Sequence, residues 1–179
     1  MNLQRRRQIL SGILAIAGIG ALIANQQPQT LAQLPESGYQ APSFTLQSIS
    51  GREIKLAQFR GRPVMLNFFA SWCPPCQAEA PDLVKMYDRY QGKIIFLGID
   101  MTETDSPADV SAFMKKVGMT YPVLLDGMGK VARQYDVISI PTSFFINAQG
   151  KIVQRVEGAM NQQTLQTDLA QLSRPEVQT

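Results

Sequence analysis

The chain has 179 residues, 45% of them hydrophobic and 17% charged, the balance of one folded domain with a short extension. Its net charge of +3 resides in Arg5, Arg6 and Arg7; without them 14 basic residues balance 14 acidic ones, and no basic patch points to nucleic acid. The absence of histidine excludes imidazole zinc sites, Cys–His nucleophile pairs and Ser–His–Asp triads, and two cysteines cannot complete a four-thiolate zinc site within one chain. No metal is expected, since the remaining arrangement would need a dimer pooling both pairs of thiols.

The three arginines precede an uncharged apolar stretch, Ile9 to Ala24, whose 16 residues fall short of a comfortable bilayer span. This is the pattern of a signal peptide or short membrane anchor over residues 1–24. Arg6 and Arg7 resemble a twin-arginine export pair, with Arg5 where Ser or Thr is usual. Thr30 and Ala32 supply small residues for cleavage after Ala32. Everything after Ala24 is expected outside the cytoplasm, in the periplasm or an equivalent lumen, touching the membrane only if the segment is retained.

Residues 25–40 read as a linker rich in Gln and Pro, residues 41–174 as the folded domain and 175–179 as a tail. Within the domain, Phe44–Leu46 and Glu53–Lys55 flank Ser50-Gly51-Arg52 as a hairpin. Val64–Ala70 is a buried strand, and Pro74–Tyr90 a helix with a kink expected at Pro81. Ile94–Ile99 is a second buried strand. Pro107–Val117 is an amphipathic helix with Val110, Phe113, Met114 and Val117 on one face. A short strand at Val123–Leu125, a short helix at Lys130–Tyr135, a hairpin of Ser143–Ile146 with Lys151–Val156 and a helix at Thr164–Leu172 complete the order. Strands separated by helices imply an α/β fold with a parallel centre, to which the late hairpin adds an antiparallel edge.

The only two cysteines lie in Trp72-Cys73-Pro74-Pro75-Cys76, where the first buried strand runs into its helix. A dithiol so placed can close and reopen a small disulfide ring, the basis of thiol–disulfide exchange. The alternative is a static structural disulfide, although so small a ring gains little from a cross-link. The helix N-terminus favours a thiolate at Cys73, which makes it the nucleophile and Cys76, one turn in and expected to be more buried, the resolving thiol. Pro74 and Pro75 carry no N–H, so the first amide within the motif that can reach the Cys73 sulfur is that of Cys76. Cys73 should therefore titrate only moderately below ~8.5, which accords with a reducing pair. Trp72 is expected beside the cysteines, flanking a substrate groove. Ile140-Pro141-Thr142 opens a strand, where proline removes a ladder donor; the residues alone leave a plain turn and a cis bond both open.

Taken together, residues 64–81, Tyr121–Asp126 and Ile140–Asn147 resemble the thioredoxin superfamily. More narrowly they resemble the TlpA/ResA group of exported thiol–disulfide oxidoreductases, which includes the CcmG-type proteins of cytochrome c maturation. The resemblance covers residues 41–172 and implies a thioredoxin-like fold, a central mixed sheet flanked by helices, here with an N-terminal β-hairpin extension. It also implies that Pro141 is cis and faces the dithiol, that Ile140 offers its backbone to a bound substrate chain, and that Trp72, Pro74 and Pro75 border that chain. The implied activity is reduction of protein disulfides, such as the heme-binding CxxCH of apocytochrome c, with electrons from a membrane thiol transporter of the CcdA/DsbD kind. No cofactor is expected beyond the Cys73–Cys76 disulfide itself. Thiol oxidation of secreted proteins and thiol peroxidation are the enzymatic alternatives; Ala70 stands where peroxidases of this fold carry Thr. Thioredoxins keep a buried Asp where this chain has Asn67, and an amide cannot accept a proton from the resolving thiol. Glu103 matches the position of an acid that the group places near its cysteines, and is expected to be partly buried, with a raised pKa, as the proton shuttle. Glu79 and Asp82 are expected to be solvated.

Overall fold

The computed structural model describes residues 33–174. These form strands β1 (Thr45–Ser48), β2 (Glu53–Lys55), β3 (Val64–Phe69), β4 (Ile95–Asp100), β5 (Val123–Leu125), β6 (Thr142–Ile146) and β7 (Ile152–Glu157). The helices are α1 (Pro74–Tyr90), α2 (Pro107–Val117), α3 (Lys130–Gln134) and α4 (Gln162–Leu172), with a 3-10 turn at Leu56–Phe59. The export segment, its cleavage site and the tail after Arg174 lie outside the described residues. Among those described, no helix is long and apolar enough to cross a membrane.

One seven-stranded sheet runs in the order β2-β1-β5-β4-β3-β6-β7. Strands β3, β4 and β5 are parallel, while β1 and β6 pair antiparallel to this centre and carry β2 and β7 on the edges. The order is that of a thioredoxin-like fold with an added N-terminal hairpin.

Side-chain alternation along β3 divides the interior into two layers. Val64, Leu66 and Phe68 join Leu97, Ile99, Phe144 and Tyr135 on one face, beneath α3. Met65 and Phe69 point to the other, where α1, α2 and α4 contribute Leu83, Phe113 and Leu165. Asn67 shares the second face and is therefore buried under α1, at 5% exposure. Helix α1 starts with two prolines because the first helical N–H groups have no acceptor within the helix. It continues through Pro81 as one element to Tyr90. Helix α2 is capped by Ser106, whose Oγ accepts the Asp109 N–H at 3.1 Å.

Residues 33–40 differ from the expected linker. Gln40 bridges Lys151, the Gly38 N–H donates to the Ile152 carbonyl at 2.7 Å, and the Ile152 N–H donates to Tyr39 at 2.9 Å. Composition concealed this because the pairing is made by the backbone. The Tyr135 hydroxyl holds the following segment by donating to the Pro42 carbonyl at 2.6 Å.

Candidate active site

Strand β3 ends at Phe69, and the turn that follows places Cys73 as the N-cap of α1. Cys73 and Cys76 are joined as a disulfide with a Cα–Cα distance of 5.3 Å. The Cys76 N–H donates to the Cys73 sulfur at 3.4 Å, as the double proline requires. The Gln77 side chain fastens the turn by donating to the Ser71 carbonyl at 2.7 Å. The two cysteines are equally buried, each 3% exposed, so Cys76 is not the more buried of the pair. In the closed ring Cys73 packs under the loop that carries Pro141. What sets the sulfurs apart is position: Cys73 sits at the open helix end, whereas Cys76 faces the interior one turn along.

The Ile140–Pro141 peptide is cis, and the Ile140 carbonyl oxygen lies 3.7 Å from the Cys73 sulfur. The loop leading to it exposes Ile138 almost fully, at 88%. Trp72 is 54% exposed, and its indole N–H donates to the Thr104 carbonyl at 2.9 Å. Pro74 and Pro75 are exposed at the start of α1. The structure thus brings together Trp72, Cys73, Pro74, Pro75, Cys76, Ile140 and Pro141.

Glu103 does not join them. Its carboxylate is half exposed and pairs with Arg133 of α3 at 3.4 Å. It occupies the space over Gly129, whose φ of +60° and lack of a side chain leave room for it. The loop after β4 turns this acid toward α3 instead of the dithiol, so the expected partial burial is not found.

The buried acid is Glu79, which was expected to be solvated and is 2% exposed. Cys76, Glu79, Ala80, Leu83 and Met86 form the inward face of α1, and residues three apart on a helix are neighbours. The Met160 N–H donates to one Glu79 oxygen at 3.0 Å and the Asn67 amide to the other at 3.3 Å. The same amide nitrogen donates to Ser143 Oγ at 3.0 Å. Burial raises the Glu79 carboxyl from 4.5 to about 7; the two hydrogen bonds oppose the rise, and Asp82 adds to it. The signal in the sequence was the spacing of three from Cys76 combined with a polar residue, Asn67, inside an apolar strand.

A thiol pair at a helix N-terminus, a cis-proline loop against the nucleophilic sulfur and a buried acid one turn beyond the second thiol define a thioredoxin-like thiol–disulfide oxidoreductase. The chain belongs to the AhpC/TSA family, whose profile matches residues 37–155. It is 35% identical over 164 residues to the thiol-disulfide oxidoreductase ResA of Bacillus subtilis (strain 168), covering 90% of each chain. Among solved structures it is similar to a putative thiol:disulfide interchange protein DsbE from Chlorobium tepidum, with a TM-score of 0.71 and 28% identity over 79% of this chain and 100% of that one. It is also similar to a secreted Mycobacterium tuberculosis disulfide oxidoreductase described as homologous to E. coli DsbE, with a TM-score of 0.67 and 30% identity over 72% and 96%.

Proposed function

We propose that the protein is an extracytoplasmic reductase of protein disulfides, acting on the CxxCH of apocytochrome c and resupplied with electrons by a membrane thiol transporter of the CcdA/DsbD kind. Its reducing character is supported by the single amide available to the Cys73 sulfur. The compartment is supported by the arginine-led apolar stretch in the sequence and by the relative described as secreted. Trp72, Ile138, Ile140 and Pro141 supply the surface on which the target chain lies.

The Cys73 thiolate attacks one sulfur of the target disulfide and expels the other as a thiolate, leaving a mixed disulfide. Cys76 then loses its proton to Glu79, and its thiolate attacks the Cys73 sulfur. The Cys73–Cys76 disulfide forms, and the target leaves with both cysteines reduced. Two electrons pass from the enzyme dithiol to the target disulfide, and Glu79 returns its proton to solvent or to the departing thiolate.

Glu79 carries this reading: it is the one buried carboxylate a helical turn from the resolving thiol, and at about 7 it can both accept and release a proton at neutral pH. The test is covalent trapping with Cys76→Ser, which stalls the mixed disulfide. Recovery of apocytochrome c on Cys73 is the expected result. Recovery of assorted secreted proteins, together with a potential near −120 mV, would assign an oxidase instead. Rapid peroxide turnover would assign a peroxidase.

A further inference from the structure

Asp105, in the loop between β4 and α2, reaches back to the turn that precedes Cys73. Its carboxylate accepts from the Ser71 N–H at 2.5 Å, from Ser71 Oγ at 2.9 Å and from the Ser106 N–H at 2.8 Å. The preceding residue, Thr104, accepts the Trp72 indole N–H. One loop therefore grips both residues immediately before the nucleophile.

Beneath it, at the end of β4, Asp100 is fully buried, and neither of its carboxyl oxygens meets an N–H or hydroxyl donor. The side chain that bears on it is that of Asp105, also a carboxyl. Other nearby acids are engaged elsewhere: Asp109 with Ser106, Asp126 with the Ala132 N–H and Glu103 with Arg133. A fully buried Asp100 carboxylate with no donor, set against the half-buried Asp105 carboxylate, is strongly disfavoured, whereas a proton on Asp100 lets it donate to Asp105. Burial, with the Asp105 charge second, pushes the Asp100 carboxyl up to about 8.

We infer that Asp105 is a positioning residue for the Cys73 turn, held in place by a hydrogen bond donated by the protonated carboxyl of Asp100. Ser71 and Trp72 transmit this hold to Cys73. When Asp100 releases its proton to solvent, like charges face each other, and the grip of the loop on Ser71 and Trp72 loosens. The functional meaning of the device rests on Cys73 as the attacking sulfur; its existence does not.

Trp72 is the only tryptophan and reports the device in the oxidised protein, where no thiol titrates. Its emission is followed from pH 6 to 9.5 in the wild type and in Asp100→Asn, whose amide donates to Asp105 but does not ionise. The wild type should show an inflection near pH 8, and the variant should lose it. At pH 7 the reduced Asp105→Ala variant should exchange with a small aromatic disulfide roughly tenfold more slowly than Asp105→Asn, which keeps an acceptor for Ser71. A flat wild-type titration, an inflection that survives in Asp100→Asn, or equal rates for the two Asp105 variants would overturn the inference. If the redox reading itself were wrong, the reduced wild type would show no Cys73-dependent exchange, while the Trp72 titration of the oxidised protein would be unaffected.

Discussion

The Asn67 amide donates to the Glu79 carboxylate at 3.3 Å, tying the strand that leads into the dithiol to the helix that begins there. Glu79→Gln removes the proton acceptor and keeps the shape. The wild-type rate of mixed-disulfide resolution should rise as pH passes through about 7. The variant should lack that inflection and be roughly 100-fold slower at neutral pH. Stopped-flow resolution of a glutathionylated substrate between pH 5 and 9 measures both.

The same acid affects stability. Unfolded, its carboxyl titrates near 4.5; folded, at about 7. Between these values the folded protein binds the extra proton, so this contribution is greatest below pH 4.5 and is lost as pH rises to 7. Urea unfolding at pH 4.5 and pH 7 should show the wild type losing on the order of 3 kcal/mol more than Glu79→Gln.

Asn67→Asp introduces a second buried carboxyl beside the first. Like charge disfavours ionisation, so the inflection assigned to Glu79 should move up by about a unit. An inflection that stays near 7 in this variant would show that position 67 does not influence Glu79.

Pro75→Ala restores an N–H at the second helical position, where an N-cap side chain accepts. The Cys73 thiolate gains a donor, and its pKa should fall by about 0.5–1 unit, as read from thiolate absorbance. The dithiol should become more oxidising by about 15–30 mV in glutathione buffers.

Glu103→Gln breaks only an exposed pair with Arg133. Stability should change by less than about 1 kcal/mol, and the pH–rate profile should match that of the wild type. A lost inflection would return the proton shuttle to Glu103.

The fold was legible because its signals are local. Apolar runs marked β3 and β4, the apolar face of Val110, Phe113, Met114 and Val117 marked α2, and the dithiol sat at the strand–helix junction. The positions of Cys73 and Pro141 followed from motif and resemblance together. The burial of the two acids was not legible, because charge alone does not reveal it. Glu79 is taken inside by the face of α1 that carries Cys76 and Leu83, while Glu103 is drawn outward by Arg133, 30 positions away. The Asp100–Asp105 contact depends on how the β4–α2 loop folds back, which no periodicity encodes.

The backbone pairing of residues 38–40 with Lys151 and Ile152 covers the start of an edge strand. Exposed strand edges recruit further strands, and proteins guard against this by masking them. A fragment begun at Ala41, the boundary that composition implies, would lack this mask and present β7 to its own copies. The short polar stretch ahead of the domain thus works against self-association, which matters for a protein whose own chemistry exchanges disulfides between chains.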